Sequence, residues 1–189
     1  MEASHGKGTR PIGFLTVRHR APHGYFGGFL VINELARPME FHCTLPLMPS
    51  RAQQILFGAT LDEFLCGEQI ARALLSKAKV QPKLVLTDTP AVLAVRHWID
   101  APIFWLERTE LESSEKETGF AIPSQTRDSS EYATRAVHDA TVRWLQSYAS
   151  DTKALDLLID GTAASLDLNE PFGRIVEALA EAHPRSKAA

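Results

Sequence analysis

Residues 83–108 read KLVLTDTPAVLAVRHWIDAPIFWLER, and this stretch decides the fold. An apolar run, Lys83 to Asp88, stops at a carboxylate. Thr89 and Pro90 then supply a helix start, with proline at the first helical position, where its missing N–H leaves no bond unmade. Ala91 to Ile99 is helical by composition, Ala101-Pro102 breaks the helix, and Ile103 to Arg108 (IFWLER) is again strand-like. Two short strands around one helix form a compact β-α-β unit with parallel strands.

Upstream the period is that of strands. Ile12 to His19 (IGFLTVRH) is rich in β-branched and aromatic residues, and Tyr25 to Asn33 (YFGGFLVIN) is apolar on both faces, which suggests a central strand. Met39 to Leu47 (MEFHCTLPL) alternates apolar with polar, and its five-residue connection to the preceding run predicts an antiparallel hairpin over 25–47. The pair Gly27-Gly28 inside the second strand signals a bulge or a close approach of another element. From Thr60 the spacing changes to that of a helix over about 61–79, opened by a capping box at Thr60 and Glu63 and closed by Pro82.

Downstream, Glu110 to Ser130 is acidic and poor in large apolar groups, the composition of a linker or long loop. Asp128 and Glu131 form a second capping-box pattern, and Tyr132, Ala136, Val137, Ala140, Trp144 and Tyr148 predict a helix over about 131–150. A last helix is expected over 170–182, capped by Asn169. The expected organisation is a disordered tail (1–11), an α/β core (12–109), an acidic linker (110–130) and a helical C-terminal extension packed on the core (131–189).

The chain has 189 residues, 44% of them apolar, enough to own a core without a metal or disulfide staple. Cys43 and Cys66 lack any paired spacing and read as reduced core thiols. No signal-peptide pattern opens the sequence and no apolar run is long enough to span a bilayer, so the expectation is a cytoplasmic protein with no membrane contact. Charge is uneven. Residues 1–60 carry six basic against three acidic side chains, a net +3, which leaves −6 for the remainder of a chain whose formal charge is −3. Four of seven histidines lie in the basic part, so its positive field grows as imidazoles titrate.

The order of elements, three strands, a helix, a strand, a helix and a strand, resembles the ribonuclease H-like fold over about residues 12–108. Members of that fold that cut nucleic acid hold two divalent metals on several carboxylates, including an aspartate in the middle of the first strand and another at the end of the fourth. The resemblance therefore implies a metal-ligating or catalytic role for Asp88, with Mg2+ or Mn2+ as cofactor. The first strand, IGFLTVRH, holds no acid, and a second dication without that ligand is uncompensated; Glu40, Asp62 and Glu68 are the acids left to substitute. Asp88 also has a purely structural reading, as an acid beside a helix start.

Other candidates are basic. Arg18, His19, Arg20 and His23, with Tyr25 as a stacking surface, form a cluster suited to phosphate or bases. Arg37 and His42 extend the same positive region. His42 and Cys43, adjacent on a strand, face opposite sides and cannot form a nucleophilic pair. No metal-ligand spacing occurs, and no cofactor is expected unless Mg2+ or Mn2+ serves the nuclease reading. With no convergent catalytic set, the sequence favours a non-enzymatic α/β module that binds a protein partner, itself or an anionic partner such as nucleic acid. A metal-dependent nuclease or phosphate-ester hydrolase is the alternative.

Overall fold

The computed structural model describes residues 10–107, 118–123, 129–160 and 167–184. Seven strands form one mixed sheet: β1 (Ile12–Arg20), β2 (Gly24–Ile32), β3 (Pro38–Cys43), β4 (Leu84–Thr87), β5 (Ile103–Glu107), β6 (Tyr132–Val137) and β7 (Ala140–Leu145), in the order β3-β2-β1-β4-β5-β7-β6. β1 runs antiparallel to β2 and parallel to β4, and β4 runs parallel to β5. The antiparallel start, the intervening helix and the parallel β-α-β unit are thus present as the sequence orders them, in a mixed α/β arrangement.

Between β3 and β4 the chain makes α1 (Arg51–Phe57), a π-helical segment (Glu63–Ala71) and α2 (Arg72–Lys77). The helix expected over about 61–79 is present, helical from Leu61 to Lys77, and a separate helix, α1, precedes it and ends at Gly58, where φ is 50°. The reciprocal cap forms at Ser50 and Gln53 (3.1 and 2.8 Å), while the Thr60 hydroxyl bonds back to Phe57 O at 2.8 Å and caps nothing ahead of it. Pro90–His97 is a 3-10 helix, followed after the sheet by α3 (Thr152–Asp160) and α4 (Glu170–Ala182).

Helices cover both faces of the sheet. On one, Phe172, Ile175, Val176 and Leu179 of α4 meet Phe14, Leu30, Leu86 and Phe104; on the other, Ile70 and Leu74 with Val92 and Val95 meet Leu15, Val17, Phe29 and Val85. Neighbouring residues of β2 face opposite layers, and the glycine pair is where both layers come close. A Cβ on Gly27 would stand 2.2 Å from Ile70 Cγ2, and one on Gly28 would stand 2.2 Å from Ile175 Cγ2. Close approach is therefore the role of this pair; the register shift between β2 and β3 lies further on, at Val31/Ile32.

Residues 131–150, expected as a helix, form the β6–β7 hairpin instead. Thr134, Val137, Thr141 and Val142 are β-branched, and the two-residue turn at His138-Asp139 puts His138 at φ 55°, the backbone that tight hairpins use. Antiparallel pairing of β7 with β5 then extends the sheet. Cys66 is buried, but Cys43 is exposed because β3 is an edge strand. Among the described residues no helix is long and apolar enough to cross a membrane. The linker assigned to 110–130 falls mostly outside the described residues, as does most of the tail at 1–11.

Candidate functional site

β4 pairs with β1 only from Leu84 to Thr87, opposite Ile12 to Leu15, so β1 outruns its parallel neighbour. Parallel α/β sheets place ligands in the crevice outside such carboxyl ends. In this protein the crevice is filled from within. Thr89 Oγ1 accepts from Val17 N and donates to Val17 O, both at 3.1 Å, and Ala121 pairs with the backbone of His19 at 2.7 and 2.9 Å.

Alternation along β1 puts Thr16, Arg18 and Arg20 on the same face as Phe14. Asp88, one residue past β4, turns onto that face and is 3% exposed. Its Oδ1 accepts from Thr16 Oγ1 at 2.6 Å and from Arg18 Nη1 at 3.0 Å, while its Oδ2 accepts from Arg18 Nη2. Arg18 Nη1 also donates to Thr16 Oγ1, and Arg18 is only 2% exposed. This two-pronged pair is the strongest form of carboxylate recognition, and the Thr16 hydroxyl completes it. The sequence picks out Asp88 and Arg18 separately. It misses their partnership and the part of Thr16, although a polar row on one face of a buried strand is the signal that could have shown both.

A divalent ion does not fit this donor set. Both carboxylate oxygens of Asp88 are engaged, and its charge is neutralised by Arg18. At an effective dielectric of 20, a dication about 4 Å from the guanidinium would meet a repulsion of roughly 8 kcal/mol. Among the described residues no three His, Cys, Asp or Glu side chains converge as a metal centre requires. Of the acids named as substitutes, Glu40 is bound to the amides of Lys79 and Val80, Asp62 accepts the Tyr25 hydroxyl at 2.8 Å, and Glu68 is half-buried on the π-helical segment.

The basic candidates are dispersed. Arg20 is held in the interior, its guanidinium 4.3 Å from the centre of the Phe120 ring and donating to His183 O at 2.7 Å. His19 lies on the opposite face of β1, edge-on to Tyr25 with ring centres 4.9 Å apart. Burial, with Asp62 adding to it, keeps the Tyr25 phenol protonated far above its ordinary range, and the same two causes push the Cys66 thiol up. His23 is exposed in the β1–β2 turn. Arg37 is exposed in the β2–β3 turn, which lies at the other end of the sheet because Ile32 pairs with Ile12. The nucleic-acid cluster read from residues 18–25 is therefore reduced on the surface to His19, His23 and Tyr25.

His42 pairs with Glu40 of its own strand at 2.6 Å rather than across the sheet. The amides of Val80 and Lys79, then His42, hold the Glu40 carboxyl down to about 2, against an ordinary 4.5. A carboxyl depressed on folding stabilises above its unfolded pKa and loses that contribution as pH falls through the folded value. Glu40→Gln should therefore melt below wild type at neutral pH, with the gap closing between pH 4.5 and about 2. A gap that stays constant through that acid window in calorimetry would count against the bond network.

No family model matches the chain, and no curated protein matches it. Solved structures do. A variant endonuclease V of Ciona intestinalis, in complex with a 23mer DNA containing an inosine followed by a ribo-adenosine, aligns over 78% of this chain and 77% of its own at 11% identity and TM-score 0.40. Human endonuclease V aligns over 97% of this chain and 87% of its own at 13% identity and TM-score 0.42. Both neighbours are endonucleases, so the preference for a non-enzymatic binding module finds no counterpart among them and gives way to the alternative stated beside it, which is taken up below.

Proposed function

We propose that this protein acts on nucleic acid as a phosphate-ester hydrolase, taking its substrate at the end of the sheet where β1 and β4 finish. The observation that carries this reading is the sheet end where β1 outruns β4, with the Asp88–Arg18 pair closed beneath it, the place where parallel sheets keep their ligands. Around that end, His19, His23 and Tyr25 supply groups suited to a polyanion: imidazole N–H donors for phosphate oxygens, and an aromatic face on which a base can stack. The positive balance of residues 1–60 acts in the same direction. Because a pair of divalent ions does not fit the donor set, no step is assigned to one.

The test is a gel assay with end-labelled single- and double-stranded DNA, RNA and an inosine-containing duplex, each run with Mg2+, with Mn2+ and with EDTA. Strand cleavage is expected, together with binding that is weakened by His23→Ala. Substrates that remain intact under all three conditions with the protein in excess would overturn the reading.

A further inference from the structure

The Asp88 cluster carries an inference about its own charge, one that deepens the proposed function by saying what the site holds. We infer that Arg18 is the built-in cation of this site: its guanidinium occupies the place against Asp88 that a divalent ion would need, so the site takes neither Mg2+ nor Mn2+.

Four observations converge on this. The guanidinium meets both oxygens of Asp88, which leaves neither as an open ligand. Thr16, in the middle of β1, faces Asp88 with a neutral hydroxyl rather than a second acid, and it spends its proton on Asp88 at 2.6 Å. Arg18, Asp88, Thr16 and Thr89 are all 3% exposed or less, so water has no easy route to replace the pair and solvate an incoming ion. Thr89 and Ala121 satisfy the free edge of β1 that would otherwise face the crevice. An Arg–Asp pair is neutral as a unit. A dication there would have to displace a fixed charge rather than compensate one, whereas metal ligation selects deprotonated oxygens not already paired.

The experiment is a titration of Mn2+ into the full chain, followed by the electron paramagnetic resonance of the free ion, with melting curves in EDTA and in Mn2+. Wild type is expected to leave the free-ion signal of equimolar Mn2+ undiminished and to melt at the same temperature in both buffers, since an ion that binds the native state raises its stability. Arg18→Met, which exposes the Asp88 carboxylate to an ion, is expected to sequester Mn2+ and to melt higher in its presence. If this variant does not fold, the wild-type titration decides alone, supported by amide spectra in which Mn2+ broadens only surface carboxylates. Mn2+ broadening of Thr16, Asp88 and Thr89 in wild type would overturn the inference, as would a folded Arg18→Met that gains no ion. None of these readouts depends on cleavage, so the inference and the proposed hydrolase function fail separately.

Discussion

Asp88→Asn is expected to lower the unfolding free energy by about 3–5 kcal/mol, because it strands a buried guanidinium without its counter-charge. For a chain of this length that is roughly 10 °C in melting temperature. Arg18 is 2% exposed and cannot recover its hydration without opening the sheet edge. The loss should be mutual: Arg18→Met leaves a carboxylate stranded in the same place. Replacing both, as Arg18→Met with Asp88→Leu, should restore stability to within about 1 kcal/mol of wild type, since a buried pair exchanged for apolar groups of similar volume is often neutral. A double-mutant cycle in denaturant reads the coupling directly. Additive single losses, with no recovery in the double variant, would mean that the two side chains do not depend on each other as the geometry requires.

The second large effect is expected at the glycine pair in β2. Gly28→Val must push Ile175, which is fully buried in α4, because a Cβ there stands 2.2 Å from Ile175 Cγ2. Overpacking of this kind costs about 1–3 kcal/mol and occasionally more, and valine adds two methyl groups to the Cβ already in conflict. The upper end, about 3 kcal/mol, is expected. Ile175→Ala alone should cost about 2–5 kcal/mol through the cavity it leaves. Combined with Gly28→Val, it should cost at least about 1 kcal/mol less than the sum, because each change fills or vacates the same space. Strict additivity in urea melts would show that α4 relaxes away from the sheet instead. Gly27→Val tests the opposite layer in the same way through Ile70.

The elements that sequence pattern places correctly are those whose burial repeats locally. β1, β2, β4 and β5 are apolar on the faces that meet α4 and the opposite helical layer, so their composition reports their environment. The hairpin at 132–145 shows where such reading fails. Tyr132, Ala136, Val137, Ala140 and Trp144 can be threaded on a helical stripe, and the tie is broken only by the neighbouring β5 edge, which offers β7 a ladder that no window of sequence contains. α1 was invisible for the complementary reason. None of its residues is buried, so it has no apolar stripe to read, and its existence rests on the Ser50–Gln53 cap.

The candidate site divides in the same way. Asp88 could be named from sequence because a carboxylate after an apolar run and before Thr-Pro marks the end of a parallel strand. Its partner could not, because Arg18 is 70 residues away and looks like one of several surface cations in TVRHR. Only the register of β1 against β4 decides which of Arg18, His19 and Arg20 meets the acid.

Local chemistry alone, then, determined the order of the strands β1 to β5, the parallel unit at 83–108 and the identity of the acid at the carboxyl end of β4, since turn residues and apolar periodicity act over a few neighbours. Tertiary structure decided that β6 and β7 extend the sheet, that Gly27 and Gly28 admit a helix on either side, and that Asp88 closes on Arg18. Those outcomes depend on which distant surfaces share the same desolvated space, and the cost of burying a charge or a backbone edge unpaired is felt only once the chain has brought them together.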